Sequence, residues 1–173
     1  VFIFYFIAEL FVWRLNELRK KDRAQHEIQT KMMDLQDSAL RAQMNPHFIF
    51  NCLNSIKSLV QNNENGIAIE YLTIFTKLIR SLLQNADQKY VSLDTEIETC
   101  KLYIQMEALR FKNRFTFNIH IQPDLDLKSV EVPVLIIQPI VENAIWHGLM
   151  PRQAKGELLL NVERKGDYIV CRV

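Results

Sequence analysis

Asn45-Pro46-His47-Phe48-Ile49-Phe50-Asn51 sets a histidine at the start of a helix, directly after a long heptad-like segment. Asn45 can cap that helix with its side chain, and Pro46 suits the first helical position, where its missing N–H is no loss. A helix from Pro46 to about Gln61 turns by about 100° per residue, so His47, Asn51, Asn54 and Ser58 share one stripe. Ile49, Leu53, Ile56 and Val60 gather on the opposite face, which must bury against something. The spacing predicts an exposed His47, available for chemistry. The plain alternative is a surface histidine among ordinary asparagines. Against it stands the clustering of one Pro, two Phe and the Asn stripe around the ring. Zinc is set aside because no second His or Cys stands at ligand spacing. No G-x-S-x-G nucleophile setting occurs either.

The chain has 173 residues, enough for one domain or for a small domain with extended helices. Its 21 basic and 20 acidic residues nearly balance, so no general basic surface argues for nucleic acid. Only four glycines occur, which favours long helices and few tight turns. Cys52, Cys100 and Cys171 are far apart and form no C-x-x-C pair. They read as reduced, mostly buried thiols of a cytosolic compartment.

Upstream of the histidine, Val1 to Trp13 is apolar and aromatic, and Arg14, Arg19, Lys20, Lys21 and Arg23 follow. The run is shorter than the roughly 20 residues a bilayer takes, and it lacks the features of a signal peptide. An apolar aromatic end followed by clustered positive charge is how a membrane helix leaves on the cytoplasmic side. Residues 1–13 are therefore read as the end of a transmembrane helix whose beginning is cut off. A buried amphipathic helix is the alternative, which Glu9 favours. Leu15 to Met44 is charged, free of Gly and Pro, and helical in pattern. Ile28, Met32, Leu35, Ala39 and Ala42 follow the spacing of a short coiled-coil seam.

Downstream, residues 61–66 (Gln-Asn-Asn-Glu-Asn-Gly) predict a turn. Ile67 to about Asn85 predicts a helix with Tyr71, Ile74, Phe75, Leu78 and Leu82 as its stripe, widened by Leu72, Ile79 and Leu83. So broad a stripe asks for two partners, the Pro46 helix in a hairpin and a second copy of the chain, giving a four-helix dimer interface. Ser92 can cap a third helix with Asp94 and Glu96 in its first turn, running to about Phe111. Phe115, Phe117, Ile119 and Ile121 alternate with polar residues as a half-buried strand, which leaves His120 on its polar side. A loop through Pro123 to Asp126 leads to another helix. Glu157 to Arg164 and Tyr168 to Val173 read as strands joined around Lys165-Gly166-Asp167.

The second chemical cluster lies between those strands, from Pro133 to Leu149. Asn143 and His147 are four apart and share a helix face, while Val141, Ile145 and Leu149 form the buried one. Pro139 inside this pattern implies a kink or a late helix start. Glu142 or Trp146 taken alone is an ordinary helix residue.

Leu40 to Ile56, with Asn45-Pro46-His47-Phe48-Ile49-Phe50-Asn51 at its centre, resembles the phosphoacceptor segment of the LytS/YehU-type bacterial sensor histidine kinases. Val91 to Glu98, Tyr103 and Leu109-Arg110-Phe111 resemble the approach to that family's ATP-binding domain. Glu142-Asn143-Ala144 with His147-Gly148 resembles the N-box of the GHKL-type ATPase fold. The resemblance implies that His47 receives the γ-phosphate of ATP and passes it to an aspartate of a response regulator. It implies that Asn143 coordinates Mg²⁺ on the nucleotide phosphates and that His147 contacts phosphate oxygens or helps hold the closed site. Glu142 would polarise the acceptor or orient a metal-bound water.

The resemblance covers roughly Leu40 to Val173, and together with the residue patterns upstream it implies an α+β fold in four parts. These are the membrane helix end at 1–13, a juxtamembrane signalling helix at 14–44, a dimerisation and phosphoacceptor helical hairpin at 45–88, and the first part of an ATP-binding α/β sandwich at 89–173. The expected assembly is a homodimer on the cytoplasmic face of the bacterial inner membrane. The family's Asp-x-Gly-x-Gly element and glycine-rich lid do not occur here, so the chain reads as a fragment cut at both ends. As such it should bind ATP weakly and autophosphorylate poorly. The alternative function is a catalytically inactive, kinase-like signalling scaffold.

Overall fold

The computed structural model describes residues 46–86, 88–112, 114–152 and 154–173, and before them 13–14, 16–17, 19–23 and 28–32. The chain forms two compact units, Val1–Asn63 and Glu64–Val173.

In the first unit the described residues up to Met32 are helical, with Ile28 buried. Most of the expected membrane segment, and the later seam positions Leu35, Ala39 and Ala42, lie outside the described residues. Among the described residues no helix is long and apolar enough to cross a membrane. Helix α1, Pro46–Gln61, starts at the proline as expected. Its apolar stripe is buried at Ile49, Cys52, Leu53, Ile56 and Leu59, and Asn54 and Ser58 are exposed on the other side. His47 holds the second helical position; its expected exposure falls outside the described side chains.

The second unit opens with α2, Asn65–Gln84. The turn before it is tighter than its composition suggests. Asn65 and Gly66 are already helical, and Asn63 alone takes the left-handed backbone (φ 60°), which its short amide side chain tolerates. Strand β1, Tyr90–Ser92, runs straight into α3, Leu93–Arg110. Ser92 caps α3: its Oγ accepts the Thr95 N–H at 3.2 Å, and Asp94 and Glu96 occupy the first turn. The broad stripe of α2 buries Tyr71, Leu72, Phe75, Leu78 and Ile79, and α2 packs along α3. A hydroxyl pair, Ser81 and Thr99 at 2.8 Å, joins the two helices. Helix α3 is thus a partner of the stripe that the sequence pattern does not reveal.

Strand β2, Phe115–Ile121, pairs in parallel with β4, Gly156–Lys165, and β4 pairs antiparallel with β5, Tyr168–Arg172, in the order β2-β4-β5. Leu158, Leu160 and Val162 alternate inward from β4, and the β4–β5 turn carries Gly166 at φ 61°. Parallel neighbours need a crossover. This one contains the three-residue β3, Glu131–Pro133, which pairs with β1 rather than with the main sheet, and then the helical segment with Asn143 and His147. The mixture of helices and sheets is the expected α+β class. The direct passage from the Pro123 loop into a helix is not found, because β3 intervenes.

Candidate functional site in the β2–β4 crossover

Helix α4 covers only Gln138–Asn143, with Pro139 in its first turn, so the proline marks a late start rather than a kink. It passes without a break into a π-helix, Ala144–Leu149, closed by the Met150 N–H to the Ile145 carbonyl at 2.9 Å. Such i→i+5 turns are rare, short and frequent at functional sites. Val141 and Ile145 are fully buried, whereas Leu149 is half-buried. Asn143 and His147 are exposed, and among the described residues neither side chain is hydrogen-bonded. Glu142 is half-buried, and its Oε1 accepts from Gln138 Nε2 at 2.9 Å. An exposed, uncommitted amide oxygen suits a cation that prefers oxygen ligands and keeps several waters, so the residues present fit Mg²⁺ bound to phosphates. His47 belongs to the first unit and this cluster to the second.

Three charged residues of α3, none of which the sequence pattern marks as a site residue, shape the site from below. Glu96 is 2% exposed. Its Oε2 accepts the Leu135 N–H at 3.0 Å and its Oε1 the Ile137 N–H at 2.9 Å, in the loop that leads into α4. Between those bonds the chain turns through Leu135 in the left-handed region, φ 61°, an unfavourable conformation for a Cβ-bearing residue. At the other end of α3, Glu107 is 1% exposed, and its Oε1 meets Arg110 Nη1 at 3.4 Å. The Arg110 guanidinium lies 4.9 Å from the Trp146 ring centre and 5.4 Å from that of Phe111. The two rings meet edge to face at 5.3 Å and 79°.

The sequence does carry a signal for these residues, but a contradictory one. Glu96, Cys100, Glu107 and Arg110 follow one another at helical spacing along a stripe that also carries Tyr103. Charged side chains are usually outside, and here the stripe is the buried one.

Cys52 and Cys100 are buried and Cys171 is half-buried. Burial, with the Glu96 charge and then those of Cys171 and Glu142 adding to it, pushes Cys100 up to about 12. Cys171 is raised for the same first reason. Both stay protonated and unreactive near neutrality.

Burial also raises the Glu107 carboxyl above the ordinary glutamate range, against the opposing charge and hydrogen bond of Arg110, with the Glu142 charge adding to the rise. The folded state therefore holds this proton more tightly than the unfolded chain. The resulting stability is present in acid and is lost as pH climbs from the ordinary glutamate range through the raised value. Glu107→Gln removes that slope. In urea unfolding at pH 5 and pH 8, the wild type is expected to lose more stability across the interval than the variant. Equal losses would contradict the assignment.

The histidine kinase family matches residues 35–115. The chain is 34% identical over 152 residues to the sensor histidine kinase BtsS of Escherichia coli, covering 86% of this chain and 26% of that protein. It is likewise 34% identical over 150 residues to the sensor protein LytS of Staphylococcus epidermidis, covering 86% of this chain and 25% of that one. Against the sensor histidine kinase/phosphatase LytS of Staphylococcus aureus it is 34% identical over 137 residues, 79% of this chain and 23% of the relative. The chain spans about a quarter of the length of these relatives. With a match over residues 35–115 and identity to these kinases continuing over most of the chain, it belongs to the histidine kinase family.

Proposed function

We propose that this chain is the phosphoacceptor region and the first part of the ATP-binding region of a membrane-anchored, homodimeric sensor histidine kinase. The reaction is phosphorylation of His47 by ATP, followed by transfer to an aspartate of a response regulator on the cytoplasmic side of the bacterial inner membrane. The observation that carries the reading is the pairing of exposed Asn143 and His147 on one short helical segment beside the hydrogen-bonded Glu142. The names of BtsS and LytS as sensors agree with it.

Phosphoryl transfer asks a protein mainly for positioning and charge neutralisation. A neutral ring nitrogen of His47 attacks the γ-phosphorus in line; the N–P bond forms, the bridging P–O bond breaks, and ADP leaves. The ring must be unprotonated to attack. Asn143 would hold Mg²⁺ through its amide oxygen, and the ion supplies neutralisation of phosphate charge. His147, one helical turn on, would donate a hydrogen bond to phosphate oxygens or help hold the closed site. Glu142, steadied by Gln138, orients the acceptor side of the site.

The domain reading follows from this. Residues 1–13 end the membrane helix and 14–44 carry the signal to the acceptor. Residues 45–88 form the acceptor and dimer region, and 89–173 begin the ATP-binding domain. The role of Asn143 is tested by nucleotide binding to the full-length protein with Mg²⁺ and with a chelator. The wild type is expected to bind ATP about tenfold or more tightly with the metal. Asn143→Ala is expected to bind equally weakly in both conditions. A variant that kept the metal dependence would remove Asn143 from the site.

A further inference from the structure

The segment that carries Asn143 and His147 is poorly able to hold its own shape. Its two helical pieces are six residues each, shorter together than an isolated helix that is stable in water. It buries only Val141 and Ile145 fully. Asn143 and His147 are exposed and fix nothing by burial. Something outside the segment must set the rotation of the π-turn. A shift of one residue would put Trp146 where His147 now stands.

We propose that Arg110 is a positioning residue that fixes this rotation by clamping Trp146. The assignment rests on the reading of Asn143 and His147 as the phosphate-handling pair. The Arg110 guanidinium carbon lies over two rings, 4.9 Å from the centre of Trp146 and 5.4 Å from that of Phe111, and the rings brace each other edge to face. Arg110 belongs to the last turn of α3 and Trp146 to the π-turn, so the stack ties this marginal segment to the helix that also packs on α2 and β2. With Trp146 seated there, His147 is left on the exposed side.

Glu107 explains how the guanidinium stays in place. Its carboxylate is buried, one oxygen meets Arg110, and among the described residues the other oxygen has no hydrogen-bond partner. A carboxylate so placed is unfavourable for folding alone. Its attachment to Arg110 gives it a use, because it holds the cation that lies over the two rings. Lysine cannot substitute: its compact, strongly hydrated ammonium lacks the broad, weakly hydrated guanidinium that reaches both rings while meeting a carboxylate.

The test uses the full-length protein, read by two quantities. One is the rate of phosphate incorporation from saturating Mg-ATP; the other is amide hydrogen exchange of the segment 144–150, which contains the Met150 N–H that closes the π-turn. Arg110→Lys is expected to slow labelling by about tenfold to a hundredfold, as a misplacement of about an ångström does. Exchange in 144–150 is expected to rise about tenfold while exchange in α2 stays unchanged. Trp146→Leu should reproduce both effects, Trp146→Phe should lose less, and the Arg110→Lys/Trp146→Leu pair should be no slower than Trp146→Leu alone. Wild-type labelling by Arg110→Lys overturns the inference. So does slow labelling with unchanged exchange in 144–150, which would make Arg110 a direct contact instead. A wild type that takes no label overturns the underlying kinase reading, and the role of Arg110 in that reaction goes with it.

Discussion

Glu96→Ala is expected to lower the stability of the protein by about 3 kcal/mol. The carboxylate is 2% exposed and takes two backbone N–H groups at 2.9 and 3.0 Å. Hydrogen bonds to a charged acceptor contribute about 1.5–3 kcal/mol each, and orphaned backbone donors add a desolvation cost of similar size. Part of the gross loss is returned because a buried charge disappears. Glu96→Gln should recover little, since its NH₂ end would face one of the two donors. Urea unfolding followed by circular dichroism measures the effect. An alanine variant within about 1 kcal/mol of wild type, by a measurement that resolves about half that, would show that the Glu96 bonds do not hold the loop.

The loss has a functional side. Leu135 sits at φ 61° between the two anchored amides, and a non-glycine residue stays in that region only where its surroundings compel it. Without Glu96 the loop is free to relax toward the ordinary β region, and the start of α4 moves with it. Glu96 acts at the beginning of the site helix and Arg110 at its end, so α3 grips the segment at both ends.

Much of this is legible in the amino-acid sequence. The Ser92 cap with its acidic first turn locates the start of α3, because capping uses local chemistry that a short window contains. The alternation of Phe115 to Ile121 locates β2, and Gly166 locates the β4–β5 turn, for the same reason. The shared face of Asn143 and His147 survives the change from α to π geometry. Strands β1 and β3 are not legible. Three residues carry no readable alternation, and each strand exists only because the other lies beside it. Glu96 reads as a first-turn acid, and Glu107 shares its stripe at helical spacing, but charged residues on a stripe ordinarily mean a solvated face. Their burial depends on the loop and the guanidinium that fold against them, and the loop is far off in sequence. The π-turn is equally a tertiary product, since the chain from Ala144 to Leu149 has the composition of an ordinary helix. Pro139 leaves a kink and a late start open, and only the loop anchored by Glu96 decides between them.

The second large effect concerns His47, the second residue of α1. His47→Ala removes the ring that takes the phosphoryl group in the proposed reaction, so labelling should vanish rather than slow. A change confined to the helix start should leave folding nearly intact, because the buried stripe of α1 runs through Ile49, Leu53 and Ile56 instead. Phosphoramidates hydrolyse in acid, so the chemistry of the label reports the atom that carries it. The measurement is incorporation of labelled phosphate from Mg-ATP into the full-length protein, wild type beside His47→Ala, each followed by acid treatment. An acid-labile label in the wild type and none in His47→Ala is the predicted result. Acid-labile label persisting in His47→Ala, or no label in a folded wild type, would contradict the account.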